Sequence, residues 1–289
     1  MKTIYENEKL SKYNWFNLGG PAKILFKLQS IDELKRFLKD NKKKNHKIHI
    51  LGAGSNTLFR DGGFDGIVIK LGNNFSYTKL IKEDEIEVGA ATMDRKLSDF
   101  ATENSLSGFE FLSCIPGSIG GAIVMNGGCY GEDVSKIFLS LKTINFEGGI
   151  ESFNKDQIKF FYRGNNLKEN LIILSAVFKG KISNKKKIFE KQTSLINKKK
   201  ESQPSRVKTC GSTFKNPANQ KAWELIKLSK CSDLRMGGAS ISQKHNNFFL
   251  NNGNASSSDI ESLIYQVKEK VFKKTGIELE LEIKIIGKK

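Results

Sequence analysis

The sequence is poor in the residues that usually bind metals or form disulfides. Its 289 residues include four cysteines and three histidines. The cysteines have no CxxC spacing, and the histidines are scattered along the chain. Structural metal sites draw on clustered Cys and His ligands, so we expect reduced thiols and no metal site.

Long apolar runs are also missing. The longest, such as residues 171–174, have the length of a buried strand, whereas a membrane helix needs about 20 apolar residues. The first fifteen residues, MKTIYENEKLSKYNW, mix charges of both signs and lack the apolar core of a secretory signal. We therefore expect a cytoplasmic protein without a membrane partner.

Acidic residues are fewer than basic ones, 31 against 48, which gives a formal net charge of +17. A basic module that binds nucleic acid is one interpretation of this excess. The lysine runs at 42–44, 185–187 and 198–200 lie within or beside segments with helical periodicity, where solvated faces are the commoner explanation. We expect a polyanionic small substrate and no nucleic acid.

Hydrophobic periodicity divides the chain into three segments, with boundaries at 1–71, 72–180 and 181–289. A charged helix over 181–203 is expected to act as a connector, and Ser257 or Ser258 is the predicted cap of the last helix. The pattern predicts strands near 24–28, 48–51, 67–71, 81–88, 137–146, 171–178, 248–250 and 278–286, and further helices near 31–38, 93–104, 222–228 and 259–274.

Two glycine-rich stretches stand out. The first, LGAGSNTLFRDGG at 51–63, follows an apolar run and would expose successive backbone N–H groups to an anion such as phosphate. Thr57 stands where the Rossmann motif needs a third glycine, and another glycine turn follows in place of a helix, so that fold is disfavoured. A plain tight turn is the alternative interpretation.

The second stretch, CIPGSIGGAIVMNGGCYG at 114–131, packs six glycines into a predicted loop. So little side-chain volume would let the backbone approach a flat or diphosphate ligand closely, although a glycine loop without function is also possible. Two such loops on adjacent segments predict one dinucleotide between them.

Both stretches resemble the flavin-binding signatures of the UDP-N-acetylenolpyruvoylglucosamine reductases, the MurB family. The resemblance continues in order through NLGGPA at 17–22, FYRG at 161–164, CGSTFKNP at 210–217, MGGA at 236–239, KHNNF at 244–248 and LELEI at 279–283. It implies an α+β fold, with a two-lobed FAD-binding domain of the vanillyl-alcohol-oxidase type followed by an α+β substrate-binding domain. The cofactor residues that it implies are Gly52, Ala53, Gly54, Ser55, Asn56, Pro116, Gly117, Ser118, Gly120, Gly121 and Asn126.

The family reaction implied is reduction of an enolpyruvyl ether on a UDP sugar, with FAD as cofactor and NADPH as reductant, for peptidoglycan precursor synthesis. Hydride addition leaves negative charge beside a carboxylate until a proton arrives. The resemblance implies that Arg163 and Glu282 stabilise this charge and that Ser212 donates the proton. Cys210 is a second candidate donor, because a free thiol is the stronger acid. Periodicity alone does not separate Glu282 from the other glutamates of its predicted strand.

The resemblance also implies substrate contacts by Tyr162, Asn216, His245 and Lys284, and lysines 198–200 are further candidates for the diphosphate. This sequence departs from the family pattern at Asn165, Leu281 and Lys284, where serine, proline and arginine are usual. The short spacing between the second glycine stretch and Arg163 resembles the subgroup without an extra tyrosine-bearing loop. We expect a monomer; the alternative enzyme is a flavin oxidoreductase of the same fold that oxidises an alcohol or sugar.

Overall fold

The structure, a computed structural model, describes residues 3–42 and 46–289, so most of the lysine run at 42–44 lies outside the described residues. The helices of the described part are α1 (Ile31–Lys42), α2 (Asp94–Glu103), α3 (Ile119–Val124), α4 (Lys185–Ser202), α5 (Ala222–Leu228) and α6 (Ser257–Thr275). Its strands are β1 (Ile4–Lys9), β2 (Pro21–Leu28), β3 (Lys47–Ile50), β4 (Thr57–Phe59), β5 (Phe64–Leu71), β6 (Thr78–Lys82), β7 (Glu85–Gly89), β8 (Leu106–Ser107), β9 (Gly128–Cys129), β10 (Glu132–Asp133), β11 (Phe138–Asn145), β12 (Ile150–Asn154), β13 (Phe160–Phe161), β14 (Gly164–Asn165), β15 (Leu171–Lys179), β16 (Lys181–Ile182), β17 (Arg235–Met236), β18 (Ala239–Ile241), β19 (Phe249–Asn251) and β20 (Lys284–Ile286).

The largest sheet has the strand order β12-β11-β15-β7-β6, and all its neighbours are antiparallel. Strand β15 lies at its centre, with Ala176 opposite Leu141 on one side and Val88 on the other. This position explains the nearly continuous apolar sequence of β15, because both neighbours cover its edges and its residues are mostly buried. A second sheet has the order β1-β2-β5-β3 and a third the order β17-β18-β19, while β4 and β20 form a parallel pair.

Contacts between Cα atoms divide the chain into two compact units that interleave in sequence. Unit 1 comprises residues 1–4, 26–53 and 68–199, and unit 2 comprises residues 5–25, 54–67 and 200–289. The core of unit 1 is built on the large sheet, α2 and α3, and that of unit 2 on α5, α6 and the sheet that contains β19. The division into three consecutive segments stays a prediction.

Helix α6 shows how local sequence and packing agree. Ser256 accepts a hydrogen bond from the Asp259 N–H group at 3.0 Å, and the Asp259 carboxylate accepts one from the Ser256 N–H group at 2.9 Å. This capping box satisfies two backbone donors at the start of the helix. Gly276 ends the helix in the left-handed region, where glycine has no steric cost. The side chains buried in between follow helical spacing: Ile260, Leu263, Ile264, Val267 and Val271.

Most predicted elements are confirmed within a few residues, but three expectations are wrong. The cap of α6 is Ser256 rather than Ser257 or Ser258, because the hydroxyl of Ser257 accepts instead from the Asp61 N–H group. The second glycine stretch is not only a loop: α3 forms inside it, since burial of apolar side chains overrides the low helix propensity of glycine.

The third wrong expectation is the continuous strand at 278–286. Only β20 is regular strand there. Residues 280–283 form isolated hydrogen bonds with the irregular segment at 213–215, so no ladder extends along them. The buried positions still alternate at Leu279 and Ile283, which is the pattern that predicted a strand.

The sequence predicts helix α4 within a connector that starts the third segment, whereas in the structure its residues through 199 belong to unit 1. The buried side chain of Gln192 donates to Ser98 and Asp99 on α2, at 3.2 and 2.7 Å. A polar contact of this kind leaves little trace in hydrophobic periodicity, which explains why the sequence did not predict it.

In the described ranges, 3–42 and 46–289, no helix combines the length and apolar character needed to cross a membrane. Over the same ranges, no group of three or more Cys, His, Asp or Glu side chains has an arrangement that could hold a metal ion.

Candidate functional site

The first glycine turn joins β3 to β4. Gly54 has a φ of +72°, and a Cβ atom there would overlap the Tyr13 carbonyl group, so this position requires glycine. The Trp15 N–H group donates to the Gly54 carbonyl oxygen at 3.1 Å and holds the turn from outside. No helix follows, as predicted, because Thr57 begins β4.

Gly52 and Ser118 meet in unit 1, although 66 positions separate them in sequence. A Cβ atom on Gly52 would lie 2.7 Å from Ser118 Oγ, closer than real contacts allow. Ser118 precedes the first residue of α3, and its buried hydroxyl has no hydrogen-bond partner among the described residues. A buried hydroxyl without a hydrogen-bond partner destabilises the folded protein. A ligand oxygen that accepts a hydrogen bond from Ser118 would remove this penalty. The two predicted cofactor residues therefore form a cradle that suits FAD.

Asp94, the first residue of α2, adds a carboxyl group to this region. It is fully buried, and neither carboxyl oxygen has a partner within the described part of the chain. A Cβ atom on Gly117 would lie 2.5 Å from Asp94 Oδ2. Burial raises the pKa of Asp94 well above its ordinary value, so the group is held in its neutral form. The sequence does not single out Asp94, because an acidic residue in the first turn of a helix usually interacts with the helix dipole.

Lys70, in β5, is a second residue beside the first glycine turn that the sequence patterns do not mark. Its ammonium group donates to the Gly52 carbonyl oxygen at 2.5 Å, and burial lowers its pKa, followed by the charge of Lys27. A lysine in the otherwise apolar sequence of β5 is the signal that could have drawn attention to it. The other predicted cofactor residues of unit 1, together with Ser55 of unit 2, are partly exposed: Ala53, Pro116, Gly120, Gly121 and Ser55.

Asn126 and Asn165 fix the hairpin of β13 and β14 in unit 1. Asn126 Nδ2 donates to the Phe161 carbonyl oxygen at 3.2 Å, and its Oδ1 accepts from the Ser135 N–H group at 3.1 Å. Asn165 Nδ2 donates to the Ile123 carbonyl oxygen at 2.8 Å. The departure at Asn165 therefore retains a polar side chain that contacts the end of α3.

Arg163 lies at the turn of this hairpin with a φ of +59°, an uncommon value for a side chain of its size. Its Nη1 donates to the Gly128 carbonyl oxygen at 3.3 Å, and its guanidinium carbon lies 5.0 Å from the centre of the half-exposed Tyr162 ring. Backbone strain in a turn that carries one charged side chain is a frequent feature of functional sites. The structure thus places two of the predicted residues in direct contact.

In unit 2, Ser212 and Glu282 lie on neighbouring segments. Ser212 follows Gly211, whose φ is +75°, and forms an isolated bridge with Phe248. The next residue, Thr213, accepts at its carbonyl oxygen from the Glu282 N–H group at 2.9 Å. Backbone hydrogen bonding therefore brings two predicted catalytic residues, distant in sequence, close to one another.

The same C-terminal segment also contacts the first glycine turn. Asn56 Nδ2 donates to the Glu282 carbonyl oxygen at 3.0 Å, and the Lys284 N–H group donates to the Asn56 carbonyl oxygen at 2.9 Å. Leu281 forms an isolated bridge with Phe214, so the departure from proline leaves an ordinary backbone pairing. Predicted cofactor, catalytic and substrate residues thus share one part of unit 2.

The surroundings of the Cys210 thiol make it a poor proton donor. Its thiol donates to the Thr57 carbonyl oxygen at 3.2 Å, and the side chain is almost fully buried. Burial raises its pKa to about 12. The argument that a free thiol is the stronger acid does not apply to this environment.

The remaining predicted substrate residues of unit 2 lie beside α5, where the His245 ring is 6.2 Å from the Trp223 ring. Asn216 Oδ1 accepts from the Ala222 N–H group at the start of α5, and His245 stacks edge-on with Phe248 at 4.8 Å. Burial lowers the pKa of His245, so its imidazole is neutral at neutral pH. In unit 1, Lys199 donates to the Cys114 carbonyl oxygen at 2.8 Å, so this lysine of the 198–200 run is not simply solvated.

Comparisons with known proteins match both parts of the chain. A model described as an FAD binding domain matches residues 22–154. A model described as the C-terminal domain of UDP-N-acetylenolpyruvoylglucosamine reductase matches residues 203–286. These matches confirm the predicted α+β fold with an FAD-binding part that precedes a second domain.

Individual relatives cover nearly the whole sequence. A UDP-N-acetylenolpyruvoylglucosamine reductase from Pelagibacter ubique is 50% identical over 280 residues, which span 96% of this chain and 92% of the relative. One from Rickettsia massiliae is 44% identical and covers 99% of this chain and 98% of its own length. The crystal structure of such a reductase from Thermus caldophilus matches with a TM-score of 0.86 at 31% identity, over 98% of each chain.

Proposed function

The chain belongs to the UDP-N-acetylenolpyruvoylglucosamine reductase family, and we propose that Arg163, Ser212 and Glu282 are its catalytic residues. It is an NADPH-dependent flavoprotein that reduces UDP-N-acetylglucosamine enolpyruvate to UDP-N-acetylmuramate in peptidoglycan synthesis. FAD, when bound, would supply the hydride chemistry between NADPH and the terminal carbon of the enolpyruvyl group. The protein must then hold the ligands, stabilise negative charge and donate a proton.

The two glycine stretches would hold FAD, and the Ser118 hydroxyl would donate a hydrogen bond to one of its oxygens. The unpartnered, buried Ser118 Oγ supports this assignment, as does the lack of room for a side chain at Gly52. The neutral Asp94 carboxyl group is a second donor in the same region. Exposed backbone N–H groups in the two stretches serve the diphosphate.

Arg163 binds the substrate carboxylate through its planar guanidinium group. Hydride addition at the terminal carbon places negative charge on the carbon that carries this carboxylate, so a fixed cation stabilises the charge as it forms. The Gly128 carbonyl oxygen and the Tyr162 ring hold the guanidinium group in position, which reduces the entropy lost on binding. Glu282, in its protonated form, donates a hydrogen bond to the same developing charge.

Ser212 donates the proton that completes the reduction. A serine hydroxyl is a weak acid, so the reaction depends on holding it at the correct carbon and on a route that returns its proton. The pairing of residues 213–215 with residues 280–283 supports this role, because it fixes the backbone at Glu282 and directly after Ser212. This pairing is the single observation that carries the proposal.

Tyr162, Asn216, His245 and Lys284 contact the nucleotide sugar and its diphosphate. His245 acts as a neutral hydrogen-bonding group, since burial lowers its pKa.

The enzyme works as a cytoplasmic monomer without membrane or nucleic-acid partners, and it belongs to the subgroup without the extra tyrosine loop. Its product serves the cell wall, and through it cell shape and division.

The experiment is to follow the two half-reactions separately in the Ser212→Ala variant. We expect flavin reduction by NADPH to stay within about twofold of the original rate, while reoxidation by the enolpyruvyl nucleotide slows by roughly 10²- to 10⁴-fold. The reason is that a proton is donated only in the second half-reaction.

The matched control is Cys210→Ser, which removes the rival donor and should leave both rates nearly unchanged. Equal slowing of both half-reactions in Ser212→Ala would show that Ser212 supports the structure rather than the chemistry. Reoxidation by oxygen but not by the nucleotide, in the unmodified protein, would contradict the substrate.

A further inference from the structure

Two cysteines of unit 1 lie on neighbouring segments. Cys114 ends a 3₁₀ turn at Glu110–Cys114, and Cys129 is the second residue of β9. Both are free cysteines, and Cys129 packs against the buried cluster that contains Cys114. The Cys129 thiol also lies 3.4 Å from the Phe111 carbonyl oxygen. That carbonyl belongs to the turn that Cys114 ends, so β9 packs directly against this turn.

Cationic groups surround this pair. The Lys199 ammonium group donates to the Cys114 carbonyl oxygen at 2.8 Å, and Ser113 Oγ lies 3.7 Å from Cys114 Sγ. On the other side, Arg163 donates to the carbonyl oxygen of Gly128, the neighbour of Cys129. Positive charge and hydrogen-bond donors stabilise a thiolate over a thiol.

These surroundings make the two cysteines unequal. The hydrogen bond from Cys129 is the main cause that lowers the pKa of Cys114, with burial opposing it and Ser113 and Lys199 adding to it. The same hydrogen bond, together with burial, raises the pKa of Cys129. These shifts favour ionisation of Cys114 over that of Cys129. Such asymmetry is typical of redox-active thiol pairs.

We propose that Cys114 and Cys129 form a redox-active site that a hydroperoxide oxidises to an intramolecular disulfide. The Cys114 thiolate attacks the terminal peroxide oxygen, the O–O bond breaks, and an alcohol or water leaves after taking up a proton. The Cys129 thiol then displaces water from the sulfenic acid, and its own proton leaves in that water. Overall the two thiols lose two electrons and two protons, and the hydroperoxide is reduced.

A small peroxide suits this site better than a bulky disulfide does. Cys114 is only 6% exposed, whereas Ser113 and Cys129 are partly exposed. Hydrogen peroxide is therefore the oxidant of choice for a test. The site does not depend on the proposed reduction of the nucleotide substrate, so the two proposals can fail separately.

The test uses the reduced, flavin-loaded protein with one equivalent of hydrogen peroxide. Both cysteines fall in one tryptic fragment, residues 97–136, because no lysine or arginine lies between Lys96 and Lys136. We expect this fragment to lose the mass of two hydrogen atoms and to regain it with a dithiol reductant. A fragment that keeps its mass, or that gains oxygen at Cys114 while Cys129 stays free, would overturn the proposal.

Variants separate the two roles. In Cys129→Ser the reaction should stop at a sulfenic acid on Cys114, which dimedone traps, and in Cys114→Ser the fragment should not react. The matched control is Cys231→Ser, which removes a buried cysteine of unit 2 and should behave as the original protein does. In the original protein, iodoacetamide should alkylate Cys114 at pH 7 at least about tenfold faster than Cys231; equal rates would contradict the inference.

Discussion

Three glutamates of the C-terminal segment look equivalent in sequence, but the structure separates them. Glu278 pairs with Lys268 at 3.2 Å and Glu280 with Lys215 at 3.3 Å, and both carboxylates are about three-quarters exposed. Glu282 is less exposed, and its backbone bonds to Thr213 and Asn56. The alternation of polar residues predicted one face for all three, because periodicity carries no information about which neighbours cover that face. At the residue scale, therefore, only the resemblance to the family singled out Glu282 in advance.

This difference yields a prediction for a matched pair of variants. Glu282→Gln should slow reoxidation of the reduced flavin by the enolpyruvyl nucleotide by about 10²- to 10³-fold, since an amide stabilises the developing charge less well than a carboxylic acid does. Glu280→Gln should change neither half-reaction by more than about twofold, because an exposed ion pair contributes little. Stopped-flow absorbance of the flavin measures both. Equal rates in the two variants would remove Glu282 from the catalytic set.

At the scale of elements, the start of α6 shows what a local sequence pattern can and cannot predict about a helix. Three consecutive serines, at 256–258, precede the apolar stripe of this helix, and each has the side chain of a good N-cap. The capping box selects Ser256, because Asp259 lies three residues later and bonds back to it. Ser257 is used for a contact with Asp61, distant in sequence, which propensity cannot anticipate. The helix itself was predictable, and its first residue was not.

We expect Ser256→Ala to lower the free energy of unfolding by about 1 kcal/mol, because the Asp259 N–H group loses its acceptor. Ser258→Ala is the control: that side chain is exposed, and its loss should change stability by less than about 0.5 kcal/mol. Urea unfolding followed by circular dichroism gives both values. A larger loss in Ser258→Ala than in Ser256→Ala would contradict the assigned cap.

At the scale of the whole molecule, stability should depend on pH through Asp94. Its pKa in the folded protein is raised above the ordinary value of 3.8 by burial. At a pH below 3.8 the carboxyl group is protonated in both the folded and the unfolded chain, so it does not change the free energy of unfolding. As the pH rises, the unfolded chain ionises while the folded chain stays neutral, so the unfolding free energy falls until the pH reaches the folded pKa.

Asp94→Asn removes this ionisation and should make the free energy of unfolding less dependent on pH. Relative to the variant, the original protein should lose up to about 1.4 kcal/mol per pH unit above pH 4, with no difference in slope below that pH. Urea unfolding of the flavin-free proteins between pH 3 and 8 measures it, with the exposed Asp156→Asn as control. Parallel curves for all three proteins would mean that Asp94 ionises freely in the fold.

The sequence by itself determined the class of the molecule and most of its elements. Glycine stretches, helical stripes and apolar strands are local patterns, and each constrains the backbone next to it, so the first glycine turn and helices α1, α2, α5 and α6 were all predictable. The tertiary structure alone decided which distant residues meet. Ser118 with Gly52, Gln192 with Ser98, and Thr213 with Glu282 are separated along the chain and pair only after folding. The physical reason is that burial and hydrogen bonding depend on neighbours in space, and a periodicity of two or 3.6 residues describes only neighbours in sequence.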